Sequence, residues 1–240
     1  MHHIASLLHA NSPLPLMLWA TLYFFTIYLL FTGITWLLAK IVNRPIEPKP
    51  IKPAQIRHEL THSLRSILCF GVGILLPWGM IQLNISSIET QSNIGKIILE
   101  CALLIIWNDI HFYCLHRLLH EKFKKAHGLH HQSHTATPFS AFSMSITEAL
   151  LLGSVMPIAM LFHNFSLASL LFLPIWSICI NALAHSNCDF FPNAEENTLL
   201  GFIKHHQSHH SHYHGNYSFF FTWLDQWFNT NRNANSQGNP

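Results

Sequence analysis

The chain has 240 residues, half of them hydrophobic and only 10% charged, with a formal net charge of +2. So apolar a composition points to a membrane protein, and so small a charge, carried beside apolar segments, excludes a nucleic-acid binder. Cys69, Cys101, Cys114, Cys179 and Cys188 include no Cys-x-x-Cys pair, which excludes a disulfide framework; they are expected to pack as small buried hydrophobes.

Residues 1–12 are polar, carry no Lys or Arg and are expected to lack order. The apolar run from Leu14 to Val42 is too long for a cleaved leader without a basic start, so it reads as a spanning helix stopped by Asn43-Arg44-Pro45. The Pro-rich linker at 44–57 holds Arg44, Lys49, Lys52 and Arg57, which places it on the cytoplasmic side. A second helix is expected from Pro53 or His58 to Leu83, with a kink at Pro77. The polar stretch 84–93 has no Lys or Arg and fits the opposite face.

A third helix begins near Ile94 and emerges as the histidine-rich stretch 108–134, which holds seven of the twenty histidines. His116 and His120 stand at i, i+4, and His127, His130 and His131 at i, i+3, i+4, so each set is expected on one helical face. After a loop at 135–146, Glu148 to Leu161 and Leu167 to Ala184 form two shorter apolar runs joined by a tight turn. This hairpin returns the chain, bringing His185 and the cluster from His205 to His214 beside the first histidines. The expected fold is all-α: a polytopic membrane protein of four to five apolar helices, three spans plus a helical hairpin, with a cytoplasmic histidine-rich metal cap. Residues 1–96 form N-terminal membrane helices and the linker, 97–230 the catalytic domain, and 231–240 a disordered tail.

The candidate ligands are His116, His120, His127, His130, His131, His185, His206, His209 and His210. Nine imidazoles exceed what one metal can use, whereas two metals with four or five each account for all of them. Asp109, Tyr113, His116 and His120 share one helical face, so Asp109 is expected behind the ligand imidazoles, fixing their tautomer. Asn181, four residues before His185, is expected to reach the metal through water or to orient a ligand. Phe219, Phe220, Phe221, Trp223 and Trp227 suit either a substrate tunnel or an interfacial aromatic belt.

These residues are where the chain resembles the fatty acid hydroxylase/sterol desaturase superfamily of integral-membrane di-iron oxygenases. The resemblance covers about 97 to 230 and lies in HRLLH, HGLHHQS, AHSN and HHQSHHSHYHGNYS, with Asp109, Tyr113, Pro138, Glu148 and Asp225 in context. Asn216-Tyr217-Ser218 and Phe228-Asn229-Thr230 stand where the family has Asn-Tyr-Gly and Phe-Gly-Thr. The resemblance implies that the eight histidines outside position 185 hold two irons, with His185 as a further ligand. It also implies O2-dependent hydroxylation or desaturation of a lipid drawn from the bilayer, with electrons from a separate electron-transfer protein and reductase. A tail without an endoplasmic-reticulum retrieval signal favours a bacterial inner membrane, the endoplasmic reticulum being the eukaryotic counterpart.

Two rivals come from the same residues. His58-Glu59-Leu60-Thr61-His62 matches the His-Glu-x-x-His pattern of zinc metalloproteases, with Glu59 as general base, but has no evident third ligand nearby. A histidine-rich metal-binding or transport protein would instead place ligands within its spans, where Glu100 stands alone.

Overall fold

The computed structural model describes residues 6, 8 and 12–232. Residues 233–240, most of the expected disordered tail, lie outside the described residues, as does most of the polar N-terminal stretch. Arg232 is tied in, its backbone N–H donating to Asn216 Oδ1 at 2.8 Å.

Helix α1 runs Leu14–Val42 and ends on Asn43 in left-handed conformation (φ 50°), two residues ahead of Pro45. Helix α2 covers Pro53–Gly73, and a break at Ile74 separates it from α3, Leu75–Gln82. The break falls one turn before Pro77, where the ring has no N–H to offer and crowds the carbonyl of residue 73. At Gly71 the two chains come so close that an added Cβ would lie 1.9 Å from Thr21 Oγ1, so only glycine permits this crossing of α1 and α2.

Helix α4, Ile94–Lys122, starts on Asn93, whose side chain accepts from the N–H of Lys96 at 2.9 Å. A single turn, α5 (Lys124–His127), follows, and the chain then tightens into a 3₁₀ turn at His130–Gln132. The expected hairpin comprises α6 (Ile146–Gly153), α7 (Val155–Met160) and α8 (Leu167–Ala184). Helix α9 is Phe202–His212 and α10 is Trp223–Trp227.

Among the described residues, four helices are long and apolar enough to cross a membrane: Leu14–Val42, Pro53–Gln82, Ile94–Lys122 and Leu167–Ala184. The segment Ile146–Met160 is shorter. Leu18, Leu22, Leu30, Leu68, Leu99 and Leu103 stand exposed on the outer faces, a pattern suited to lipid rather than water. Helix α8 is the most enclosed span and packs against α1, α4 and α9.

Backbone pairing marks the two ends of the bundle. At one end Pro45 bridges Cys188, and Ile46 N–H donates to Asn187 O at 3.1 Å. At the other, Glu89 N–H donates to Phe165 O and Leu167 N–H to Glu89 O. There the buried Glu100 carboxylate accepts from Ser166 N–H and Ser169 Oγ–H and meets His163 Nε2 at 3.0 Å, tying down the turn before α8. The hairpin therefore brings the chain back to the end it left, as expected, and the histidine segments meet there. The cysteines are free, but only Cys188 is buried; Cys114 is exposed on α4 because its side chain lies off the face that packs against α8.

Candidate metal centre

Nine buried imidazoles converge at this end of the bundle in two groups. His116, His120, His127, His131 and His209 form one; His130, His185, His206 and His210 form the other. The groups adjoin, with the rings of His131 and His210 centred 4.9 Å apart. Adjacent residues serve different groups in both motifs. The second histidine set does not occupy one α-helical face as expected, because the helix ends at His127 and the chain turns through 3₁₀ geometry. Both motifs nevertheless divide alike: His127 and His131 share a group that excludes His130, and His206 and His210 share one that excludes His209, neighbouring residues being turned apart by the rotation of one residue.

Hydrogen bonds settle which nitrogen faces inward. A carbonyl oxygen only accepts, so Nδ1 carries the proton in His116 (to Tyr217 O, 2.8 Å), His130 (to Ser143 O, 3.2 Å), His185 (to Asn181 O, 2.8 Å) and His209 (to Gly215 O, 2.7 Å). Each Nε2 is then a bare lone pair. His185 Nε2 nevertheless lies 3.2 Å from His130 Nε2, with no hydrogen available between them. The same separations recur around both groups, 3.0 to 3.2 Å, for example His131 to His127 and His120 to His131. Lone pairs packed at this distance repel unless a cation sits among them. Ligands at roughly 2.1 Å from one metal at right angles would stand about 3.0 Å apart, which matches. Burial also pushes the imidazoles toward the neutral form that a metal requires, to about 3 for His127 and His209 and about 4 for His130.

His127 differs in having a carboxylate behind it: Glu148 Oε1 lies 2.8 Å from its Nδ1, both side chains being buried. Ser145 caps α6 by accepting from Glu148 N–H, which aims the glutamate at the cap. The pattern Ser145-x-x-Glu148 has the form of a capping box, yet the Glu148 side chain reaches His127.

Asp109 acts elsewhere than expected. Its carboxylate accepts from the backbone N–H groups of Phe220 (3.0 Å) and Phe221 (2.7 Å), so it grips the aromatic loop rather than an imidazole. Asp225 grips the loop's other end, accepting from Tyr217 N–H, Ser218 N–H and Thr230 Oγ–H and meeting His205 Nε2 at 2.9 Å. Burial works against its charge, yet these hydrogen bonds hold the Asp225 carboxyl below its ordinary value. The two aspartates thus set the position of Tyr217, whose carbonyl orients His116. Tyr113 supports the same segment, its hydroxyl 3.0 Å from Thr230 Oγ1 and its ring stacked on Phe228. Asn181 orients His185 through its backbone carbonyl, while its side-chain amide donates to Ser177 O.

The glycine replacements are accommodated in different ways. Asn229 has φ 53°, a left-handed conformation asparagine tolerates. Ser218 is not among the positive-φ residues; its Oγ accepts from Asp225 N–H at 3.0 Å, so its side chain joins the clasp. Phe219 is buried between Phe112 and His206, whereas Trp227 is exposed, so the aromatic stretch serves core and surface at once.

The His-Glu-x-x-His pair has another use. Glu59 is fully buried and accepts from Gln55, from Ser133 Oγ–H at 2.7 Å and from Thr137 Oγ–H, joining α2 to the loop after the histidine turn. Among the described residues, His58 and His62 belong to no group of three or more metal-capable side chains.

The site's supporting loops and ligands all fall within one stretch, and comparison with known proteins matches that stretch. A family model described as fatty acid hydroxylase covers residues 101–230. The chain is 28% identical over 125 residues to the Delta(7)-sterol 5(6)-desaturase erg3C of Aspergillus fumigatus, a match covering 49% of this chain and 38% of the relative. No solved structure matches the chain. With more than half its length under that family model and its histidines gathered at one end of a helical bundle, the chain belongs to the fatty acid hydroxylase family.

Proposed function

We propose that this chain is an O2-dependent di-iron enzyme that hydroxylates or desaturates a lipid, with its metal cap facing the cytoplasm. His116, His120, His127, His131 and His209 would hold one iron and His130, His185, His206 and His210 the other. The division of nine inward-facing imidazoles into five and four carries this reading. Iron at these positions supplies the redox chemistry with O2 that removes hydrogen from an unactivated carbon, which no side chain can do.

The protein's own residues do the rest. Carbonyls of Tyr217, Ser143, Asn181 and Gly215, with the Glu148 carboxylate, fix the imidazole tautomers and ring planes. A cavity of about 190 Å³ with mostly apolar walls lies beneath the cap. Phe112 and Asn181 are in its wall, and these touch His116 by ring contact and His185 by hydrogen bond respectively. A lipid entering from the bilayer would thus approach both groups through a dry space. Electrons come from a separate electron-transfer protein and reductase. The basic residues Arg44, Lys49, Lys52, Lys122, Lys124 and Lys125 flank the cap and support the cytoplasmic orientation.

The test is metal analysis of detergent-purified protein together with lipid profiling of expressing cells. About two irons per chain, and a new hydroxylated or desaturated lipid, both lost in His130→Ala, are expected. A protein that binds zinc and releases it in His58→Ala would overturn the reading.

A further inference from the structure

Among the polar side chains in the otherwise apolar wall of the cavity are Asn108, His111, Ser177 and Asn181. Two of them, Asn108 and His111, are one turn apart on α4, on one face and within the candidate span. A polar side chain at such a depth is costly unless it has a use.

His111 Nε2 lies 3.0 Å from Ser154 Oγ, and Ser154 Oγ–H in turn donates to Leu151 O at 2.7 Å. The serine proton is thus committed, so His111 donates through Nε2 and its Nδ1 is left as an acceptor. Among the described residues that nitrogen has no protein partner, nor does the side-chain amide of Asn108, and neither belongs to the fully enclosed orphan atoms. Both residues line the cavity, and neither atom is sealed off within the protein. One acceptor and one amide donor, about 5–6 Å apart at their Cβ atoms, match a single hydroxyl group, which gives its proton to the imidazole and accepts from the amide. A carbonyl would satisfy the amide alone, and a hydrocarbon neither.

We infer that Asn108 and His111 form a hydroxyl-binding subsite, and that the ligand of this cavity is a lipid alcohol rather than a plain hydrocarbon chain. The inference rests on the proposed lipid oxidation. By helical rise the subsite lies about 7 to 12 Å along α4 from His116, which sets the approximate reach between the substrate's hydroxyl and the carbon presented to the metals. An extra hydrogen-bonding requirement of this kind discriminates strongly, because an analogue without the hydroxyl leaves both buried groups unpaired.

The experiment is equilibrium binding to purified protein in lipid nanodiscs, using cholesterol against cholest-5-ene and 1-octadecanol against octadecane as matched probes. Wild type is expected to bind at least one alcohol about tenfold or more tightly than its deoxy partner. In Asn108→Leu/His111→Leu that preference is expected to vanish. Thermal stability should change little in the variant, which gives up the hydrogen bond to Ser154 but no longer buries two unpaired groups. Absence of an alcohol preference in wild type for both pairs, or its persistence in the double variant, would overturn the subsite. Metal content measured on the same samples separates the two proposals: a variant that keeps its metal but loses the preference speaks only to the subsite, and metal missing from wild type speaks only to the di-iron reading.

Discussion

Two histidine pairs at the same i, i+4 spacing meet different fates. His58 and His62 on α2 have ring centroids 4.3 Å apart, and His116 and His120 on α4 have theirs 4.9 Å apart. Locally the α2 pair is the better placed, with a glutamate between its members. Yet no third ligand reaches it, and Glu59 turns away to satisfy three donors from its own helix and the 133–137 segment. The α4 pair becomes part of a candidate centre because α5, the 3₁₀ turn after it, the end of α8 and α9 bring seven further imidazoles to it. Spacing puts two rings on one face; only the arrival of other elements makes that face a ligand set.

The comparison breaks first at the ligands themselves. His130→Ala is expected to reduce iron content and to lower lipid oxidation by more than the roughly 100-fold typical of losing an outer hydrogen-bond partner. His58→Ala should leave both unchanged. Elemental analysis and product formation by mass spectrometry read the two variants side by side, and equal effects would erase the distinction. Glu148→Gln comes next. It keeps the size and an acceptor oxygen but removes the charge behind His127, so metal affinity should fall about 10- to 100-fold with the fold retained.

Glu59→Ala sharpens the other side. The α2 motif should matter for stability and hardly for chemistry, since its glutamate leaves Ser133, Thr137 and Gln55 without their acceptor. A loss of about 3 kcal/mol is expected in denaturant unfolding, with metal binding per folded molecule maintained.

What was legible beforehand follows the same division. Helix ends were readable because they depend on nearby residues: Asn43-Arg44-Pro45 stops α1, Pro77 breaks the second span, and α4 begins at Ile94. The gathering of these nine histidines was readable because chemistry leaves few uses for so many apolar-flanked imidazoles, and the structure groups them as five and four. The partners of Nδ1 were not, because four of them are backbone carbonyls, and a carbonyl carries no residue identity. Asp109 was placed on the correct face of α4, but its partners come from a loop more than a hundred residues away, beyond any periodicity argument. Spacing alone reads 127–131 as a continued α-helix, whereas the chain leaves the helix after His127 through a 3₁₀ turn.

The Asp225 clasp gives a pH-dependent test of how much the loop contributes. Its folded-state carboxyl lies below the ordinary value, so at pH below about 4 the unfolded chain binds a proton that the folded chain resists. Stability from this group is fully present above the ordinary aspartate range and is lost as pH falls through the depressed value. Melting temperature should therefore decline on acidification below about pH 4, and Asp225→Asn should be less stable at neutral pH and show a shallower decline.

The smallest effect belongs to Ser218. If glycine at this position serves only to permit a left-handed backbone, Ser218→Gly should be neutral or stabilising. In this chain, however, Ser218 lies outside the positive-φ residues, and its hydroxyl oxygen accepts the N–H of Asp225 while its own N–H donates back to the carboxylate. Removing the hydroxyl orphans a buried N–H and adds backbone freedom to the unfolded chain, so a loss of about 1–2 kcal/mol is expected in urea titration. Asn229→Gly makes the opposite case, since at φ 53° glycine relieves the backbone and should gain a few tenths of a kcal/mol. A neutral Ser218→Gly would mean that the clasp draws its strength from the carboxylate alone.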